Sequence, residues 1–156
     1  MTRRELSFLV LGLAAGAATV FAQAHDPAVK PALLSSGVHA WDSLVAETTD
    51  SGERRAVFDA ATRTVDRLET HITTIREGSA SHAAHRHPDE ELVFVREGVI
   101  EATINGVTHT APAGSIIFYA SNDLHGMRNA GHGQASYFVL RWTSPGKEGP
   151  KPGGSR

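Results

Sequence analysis

Residues 82–91 read His82-Ala83-Ala84-His85-Arg86-His87-Pro88-Asp89-Glu90-Glu91. Three of the nine histidines of the 156-residue chain fall within six residues here, and a pair of carboxylates closes the stretch. Side chains on an extended strand alternate between faces, so His85 and His87 point the same way. Imidazole nitrogen and carboxylate oxygen are ligands of first-row divalent metals, and the chain has no cysteine to supply a thiolate. The stretch therefore predicts one divalent transition metal, with manganese or iron favoured and zinc, nickel or copper compatible. It also demands a fold that brings the distant His125 to the same point.

The flanking sequence predicts such a fold. Val65 to Arg76, Leu92 to Arg96, Val99 to Ile104, Val107 to Ala111, Ser115 to Ala120 and Ala135 to Trp142 are short runs rich in β-branched and aromatic residues. Val38 to Leu44 reads as a further first strand, Thr48 to Glu53 as a polar turn, and Ala56 to Phe58 as the start of a second strand. Glu97-Gly98, Asn105-Gly106, Pro112-Ala113-Gly114 and Asn129-Ala130-Gly131 supply the turns. Asn105-Gly106 is a type I′ hairpin signal, because both central residues need positive φ. Many short strands with almost no helical periodicity predict an all-β antiparallel sandwich or barrel. His85 and His87 are placed at the end of one strand, Glu91 at the opening of the next, and His125 beyond Ser115 to Ala120, across the loop Ser121 to Leu124. Three imidazoles and a carboxylate meeting inside a barrel would leave up to two coordination positions open. Val93, Phe94, Val95, Ile104, Ile116, Phe118, Phe138 and Leu140 are the expected core.

The spacing of these residues resembles that of a small single-domain cupin of the conserved-barrel type. The first cupin signature is Gly, five residues, His-x-His, three or four residues, Glu, six residues, Gly. Gly78, His85, His87, Glu91 and Gly98 follow it, with six residues instead of five after Gly78. The second is Gly, five residues, Pro-x-Gly, two residues, His, three residues, Asn. Gly114, His125 and Asn129 keep its register, while Ala120 and Asn122 stand in place of the Pro and Gly. Asn122 suits a left-handed position better than most residues would. The resemblance implies a single antiparallel double-stranded β-helix, or jelly-roll barrel. It also implies His85, His87, Glu91 and His125 as metal ligands, with Glu90 a solvated neighbour of Glu91.

Other side chains are candidates for contact with a bound molecule. His82 and His71 are possible outer-sphere or substrate groups, and Tyr119, Arg128, Tyr137 and Arg76 are possible cavity residues. His39, His109 and His132 read as surface residues. His25 would be the first residue after signal cleavage.

The chain divides into four expected parts: a signal peptide at 1–24, an arm at 25–37, the barrel at 38–143 and a disordered Pro/Gly-rich tail at 144–156. Arg3-Arg4, the uncharged run Leu6 to Ala22 and Ala22-Gln23-Ala24 have the layout of a bacterial export signal, with a partial twin-arginine start. Cleavage near Ala24 would leave a periplasmic or secreted protein without a permanent membrane anchor. A formal charge of −2 with interspersed signs gives no footprint for nucleic acid. The predicted partner is a small molecule, and a homodimer through edge strands or the arm is expected. Two functional classes follow. One is a metalloenzyme acting on a small oxygen-rich substrate by dioxygenase, decarboxylase or isomerase chemistry. The other is a non-catalytic periplasmic module that binds a metal or a small ligand.

Overall fold

The structure, a computed structural model, describes residues 32–144. The expected signal peptide at 1–24, residues 25–31 of the arm and the tail from 145 onward lie outside the described residues. Nine strands form two antiparallel sheets. They are β1 (Glu47–Thr49), β2 (Gly52–Ala60), β3 (Arg67–Ile75), β4 (Glu90–Glu97), β5 (Val99–Ile104), β6 (Val107–Pro112), β7 (Ile116–Tyr119), β8 (His125–Asn129) and β9 (Ala135–Thr143). The larger sheet runs β1-β2-β3-β9-β4-β7, and β6-β5-β8 form the smaller. This is the expected jelly-roll barrel.

Alternation along the central strands decides what the interior contains. In β3 the side chains of Glu69, His71, Thr73 and Ile75 share one face, and in β9 those of Ala135, Tyr137, Val139 and Arg141 do. Antiparallel register pairs Ile75 with Ala135, Thr73 with Tyr137, His71 with Val139, and Glu69 with Arg141. Strand β4 adds Val95 beside Tyr137, Val93 beside Val139 and Glu91 beside Arg141. The inner face thus grades from an apolar end to a charged one. Ile75, Val93, Val95, Ile100, Ala111, Ile117 and Ala135 fill the apolar end. The charged end is left for the site.

Three expectations need correction. Val38 to Leu44 is not a strand, because Trp41–Ser43 forms a single 3-10 turn. Both the backbone N–H and the hydroxyl of Ser43 donate to the Ala40 carbonyl, which draws the chain into a turn. The polar turn expected over Thr48 to Glu53 is narrower, since only Asp50 and Ser51 separate β1 from β2. Phe94, Ile116 and Phe118 are not core, since Val93, Val95, Ile117 and Tyr119 occupy the inner face and parity turns the other three outward. His125, just past the loop Ser121 to Leu124 as expected, opens a strand, β8, that the sequence did not predict.

Turn chemistry agrees with the sequence. Asn105 and Gly106 both have positive φ, at 49° and 87°, and join β5 to β6. Asn122, in place of the usual glycine, sits at φ 64°. Asn129 is completely buried and ties three segments together. Its amide donates to the carbonyls of Ile75 (3.3 Å) and Gly133 (2.8 Å), and its Oδ1 accepts from the Gly131 N–H (3.0 Å). Replacing Asn129 by Ala should lose about 3 kcal/mol of stability at roughly 1 kcal/mol per bond. Urea unfolding would report this as a lowered midpoint, and an unchanged midpoint would refute the assigned role.

Candidate metal centre

The segment between Gly78 and Pro88 lies along β8 without forming a regular strand. Gly78 N–H donates to the Asn129 carbonyl, Asn129 N–H to Ser79, and Ala80 bridges to Arg128. Further on, His85 and His125 exchange both backbone hydrogen bonds, at 2.9 and 3.0 Å. Asn122 N–H then caps the His87 carbonyl at 2.9 Å. A Cβ on Gly126 would sit 3.2 Å from Ala84, so glycine there permits the close approach. These contacts set the three histidines together, with one ligand atom from each of His85, His87 and His125 lying within 4.8 Å of the others.

Glu91 joins them from the first turn of β4. Its Oε2 lies 3.1 Å from His87 Nε2. Glu90, its neighbour, faces the other way. Tyr119 pairs with Glu91 across β4 and β7, and its ring stacks on His125 at 4.2 Å between centroids. His82 is exposed, with its ring edge-on to His85 at 4.3 Å.

The hydrogen bonds set which nitrogens are free. His87 Nδ1 faces the Asp89 carbonyl at 3.1 Å, and His125 Nδ1 faces the Asp123 carbonyl at 2.9 Å. A carbonyl only accepts, so both Nδ1 atoms carry the proton and both Nε2 atoms present a lone pair. His125 Nε2 is buried with no hydrogen-bond partner, as is His85 Nδ1. In neutral His87 the Nε2 lone pair points at a carboxylate lone pair 3.1 Å away, an arrangement that a cation between them would relieve. The donor set of three imidazoles and one carboxylate therefore fits a divalent transition metal.

Electrostatics favour the ligating protonation states. Burial lowers the His85 pKa from 6.5 to about 4, assisted by the neighbouring His82, His125 and His87. Burial lowers His125 as well, more than the Asp123 carbonyl and Glu91 raise it. Burial alone would raise Glu91, but the His87 contact, any positive charge on the His125 and His87 rings, and Arg141 outweigh it and hold the carboxyl below its ordinary value. Burial also raises the Tyr119 hydroxyl, which stays neutral.

Beside the histidines opens a cavity of about 230 Å³. His82, His85, Glu91 and Tyr137 line it together with Arg54, His71 and Arg141. Of the residues expected near a bound molecule, His71, His82 and Tyr137 face this cavity, and Tyr119 lies against His125. Arg128 does not. It sits on the outer face of β8 and forms a two-pronged ion pair with Glu101, at 2.6 and 3.0 Å. Inward parity at β8 belongs to His125, Met127 and Asn129, which excludes Arg128 from the interior. Arg76 is exposed and bonds the Asp50 carbonyl away from the site.

Sequence reasoning missed the charged wall. Arg54 reaches Glu69 at 2.9 Å, and His71 Nδ1 reaches the same Glu69 oxygen at 2.7 Å. Arg141 bonds Asp89 at 2.7 Å and stands 3.8 Å from Glu69 and 4.0 Å from Glu91. The available signal was parity: Glu69 and His71 are two apart, as are Val139 and Arg141.

The chain matches the cupin domain family over residues 71–141. No curated protein matches it by sequence. Among solved structures, an RmlC-like cupin from Shewanella frigidimarina superposes with a TM-score of 0.59 at 16% identity, covering 75% of this chain and 96% of the other. KdgF from Halomonas sp. gives 0.60 at 14% identity, covering 72% and 97%. A predicted oxalate decarboxylase from Thermotoga maritima gives 0.55 at 16% identity, covering 69% and 99%. At these identities the likeness is one of fold.

The titration of the site has a testable sign. An unfolded chain protonates His85 as pH falls through 6.5, whereas the folded chain resists until about pH 4. The stability that neutral His85 contributes is thus complete above pH 6.5 and is lost as pH drops toward 4. His125 acts in the same direction. Thermal melts of metal-free protein should show Tm falling across this window, and His85→Gln should flatten the fall. An equal slope in the variant would refute the assignment.

Proposed function

We propose that this chain, which belongs to the cupin superfamily, holds one divalent transition metal through His85, His87, Glu91 and His125 and acts as a metalloenzyme on a small oxygen-rich substrate. The observation that carries this reading is the convergence of ligand atoms of His85, His87 and His125 beside the Glu91 carboxylate, with His85 and Glu91 lining an accessible cavity. Manganese or iron suits a nitrogen and oxygen donor set without thiolate; zinc, nickel and copper are compatible with it. Such an ion supplies Lewis acidity or redox capacity at its open positions.

The protein residues would bind, orient and exclude. Tyr119, stacked on His125, fixes the plane of that ring. Arg141, within 4.0 Å of Glu91, would draw a substrate carboxylate or carbonyl toward the site. Met127 and Val139 supply apolar lining that limits water. Dioxygenase, decarboxylase and isomerase chemistries all suit this arrangement. The reading includes export, supported by the apolar run Leu6 to Ala22 and the Ala22-Gln23-Ala24 sequence. No helix among the described residues is long and apolar enough to cross a membrane.

We further place a second copy of the chain on the outer face of the larger sheet. Phe94, Ile116 and Phe118 are 40%, 66% and 49% exposed there, and Phe118 stacks on Trp142. An exposed aromatic cluster of this kind marks an interaction surface. Sedimentation should give a dimer that Phe118→Glu converts to a monomer, and a monomeric parent protein would refute the placement.

Elemental analysis of the purified protein should find about one metal per chain, and His125→Ala should retain less than about a tenth of it, since each lost ligand weakens the site steeply. A metal-free parent protein would overturn the metal centre. Metal-loaded protein that binds carboxylic acids, phenols and diketones yet converts none would return the non-catalytic reading.

A further inference from the structure

We propose that Glu69 and His71 form a proton-transfer dyad on the cavity wall, in which His71 Nε2 takes a proton from, or returns one to, a bound small carbonyl acid. It rests on the metal-centre reading only for the anchoring of that acid.

The two residues are neighbours on the inner face of β3, and neither is among the metal-ligand candidates. His71 Nδ1 lies 2.7 Å from Glu69 Oε1. Burial would raise the Glu69 carboxyl, but the His71 bond and the charges of His71, Arg141 and Arg54 together hold it below its ordinary value. An ionised carboxylate only accepts, so in the neutral ring the proton sits on Nδ1 and Nε2 carries the lone pair. Among the described residues Nε2 has no hydrogen-bond partner, and the His71 ring lines the same cavity as His85 and Glu91. An orienting acid, a ring fixed in one tautomer and a second ring nitrogen without a hydrogen-bond partner, on a residue that lines the ligand space, are the parts of a general base.

The wall carries spare capacity as well. Glu69 Oε2 and Arg141 Nε are both buried without a hydrogen-bond partner, 3.8 Å apart. A saturated structural ion pair would leave neither open. Arg54 on β2 and Arg141 on β9 flank the carboxylate, so it can balance an imidazolium while the arginines face a substrate anion.

The step balances. Nε2 receives a proton from the carbon next to a substrate carbonyl, and the electron pair of that C–H bond moves into the substrate as an enolate. His71 becomes the imidazolium, neutralised by Glu69. The imidazolium exchanges its Nε2 proton with solvent, and return of a solvent proton to the same carbon restores the carbonyl compound with its C–H hydrogen exchanged.

The test uses pyruvate, a 2-oxo acid with exchangeable methyl protons, and metal-loaded protein in D2O. Proton NMR should show methyl deuteration faster than in buffer. His71→Gln should slow it about tenfold or more at equal metal content, as loss of a general base does. Glu69→Gln should slow it less. Nitrogen-15 NMR of the metal-free protein at alkaline pH should find neutral His71 protonated at Nδ1. Protonation at Nε2, exchange no faster than in buffer, or an unchanged rate in His71→Gln would each overturn the dyad. Correct tautomer and exchange in a chain that binds no metal would support the dyad and sink the metal centre.

Discussion

Two backbone hydrogen bonds between His85 and His125 hold the site together. They join residues forty positions apart and fix the spacing of two imidazoles before any side chain is considered. The pairing is an isolated bridge because Pro88 and the irregular run 79–84 cannot extend a ladder. The surrounding bonds, from Gly78 to Asn129 and from Asn122 to His87, anchor the segment at both ends. Backbone geometry, which side-chain motion does not perturb, thus carries the precision that a metal site requires.

Burial makes His85 and His125 resist protonation, and a charge on a neighbouring ring would raise that cost further. The same cluster holds the Glu91 carboxyl below its ordinary value despite its burial, through the contact with His87 and the nearby Arg141. Neutral His85 and His125 beside an ionised Glu91 are protonation states that ligation needs. Arg141 links this cluster to the second one through Asp89, Glu91 and Glu69.

Much of this was legible in the sequence. Strands β5 and β6 were readable almost to the residue, because Asn105-Gly106 fixes the hairpin and Gly98 the turn before it. The likeness of their spacing to the cupin signatures grouped His85, His87, Glu91 and His125. The failures have a common physical source. Phe94, Ile116 and Phe118 are as apolar as their buried neighbours, so only register reveals that they face outward. Arg128 was misplaced for the same reason, one residue from the inward Met127 and Asn129. Strand β8 escaped notice because His125-Gly126-Met127-Arg128-Asn129 has little β propensity and is held extended by β5 and the 78–88 segment. The charged wall joins residues of β2, β3, β4 and β9, and no single stretch of sequence holds it.

The position of the site follows from how the barrel is filled. Along β3 and β9 the paired inner residues run from Ile75 and Ala135, through Thr73 and Tyr137, to His71 and Val139, and end at Glu69 and Arg141. The apolar rungs supply the burial that stabilises the fold, at about 25 cal/mol per Å² of apolar surface. Charged rungs placed among them would each carry a desolvation cost of several kcal/mol. Grouping the charges at one end lets Arg54, Arg67 and Arg141 face Glu69, Asp89 and Glu91, so that each buried carboxylate has a cation within 4.0 Å. Because that compensation is mutual, removing one arginine would expose more than one carboxylate. The end that accommodates charge is thereby also the end that can admit a polar ligand, and the apolar end closes the barrel behind it.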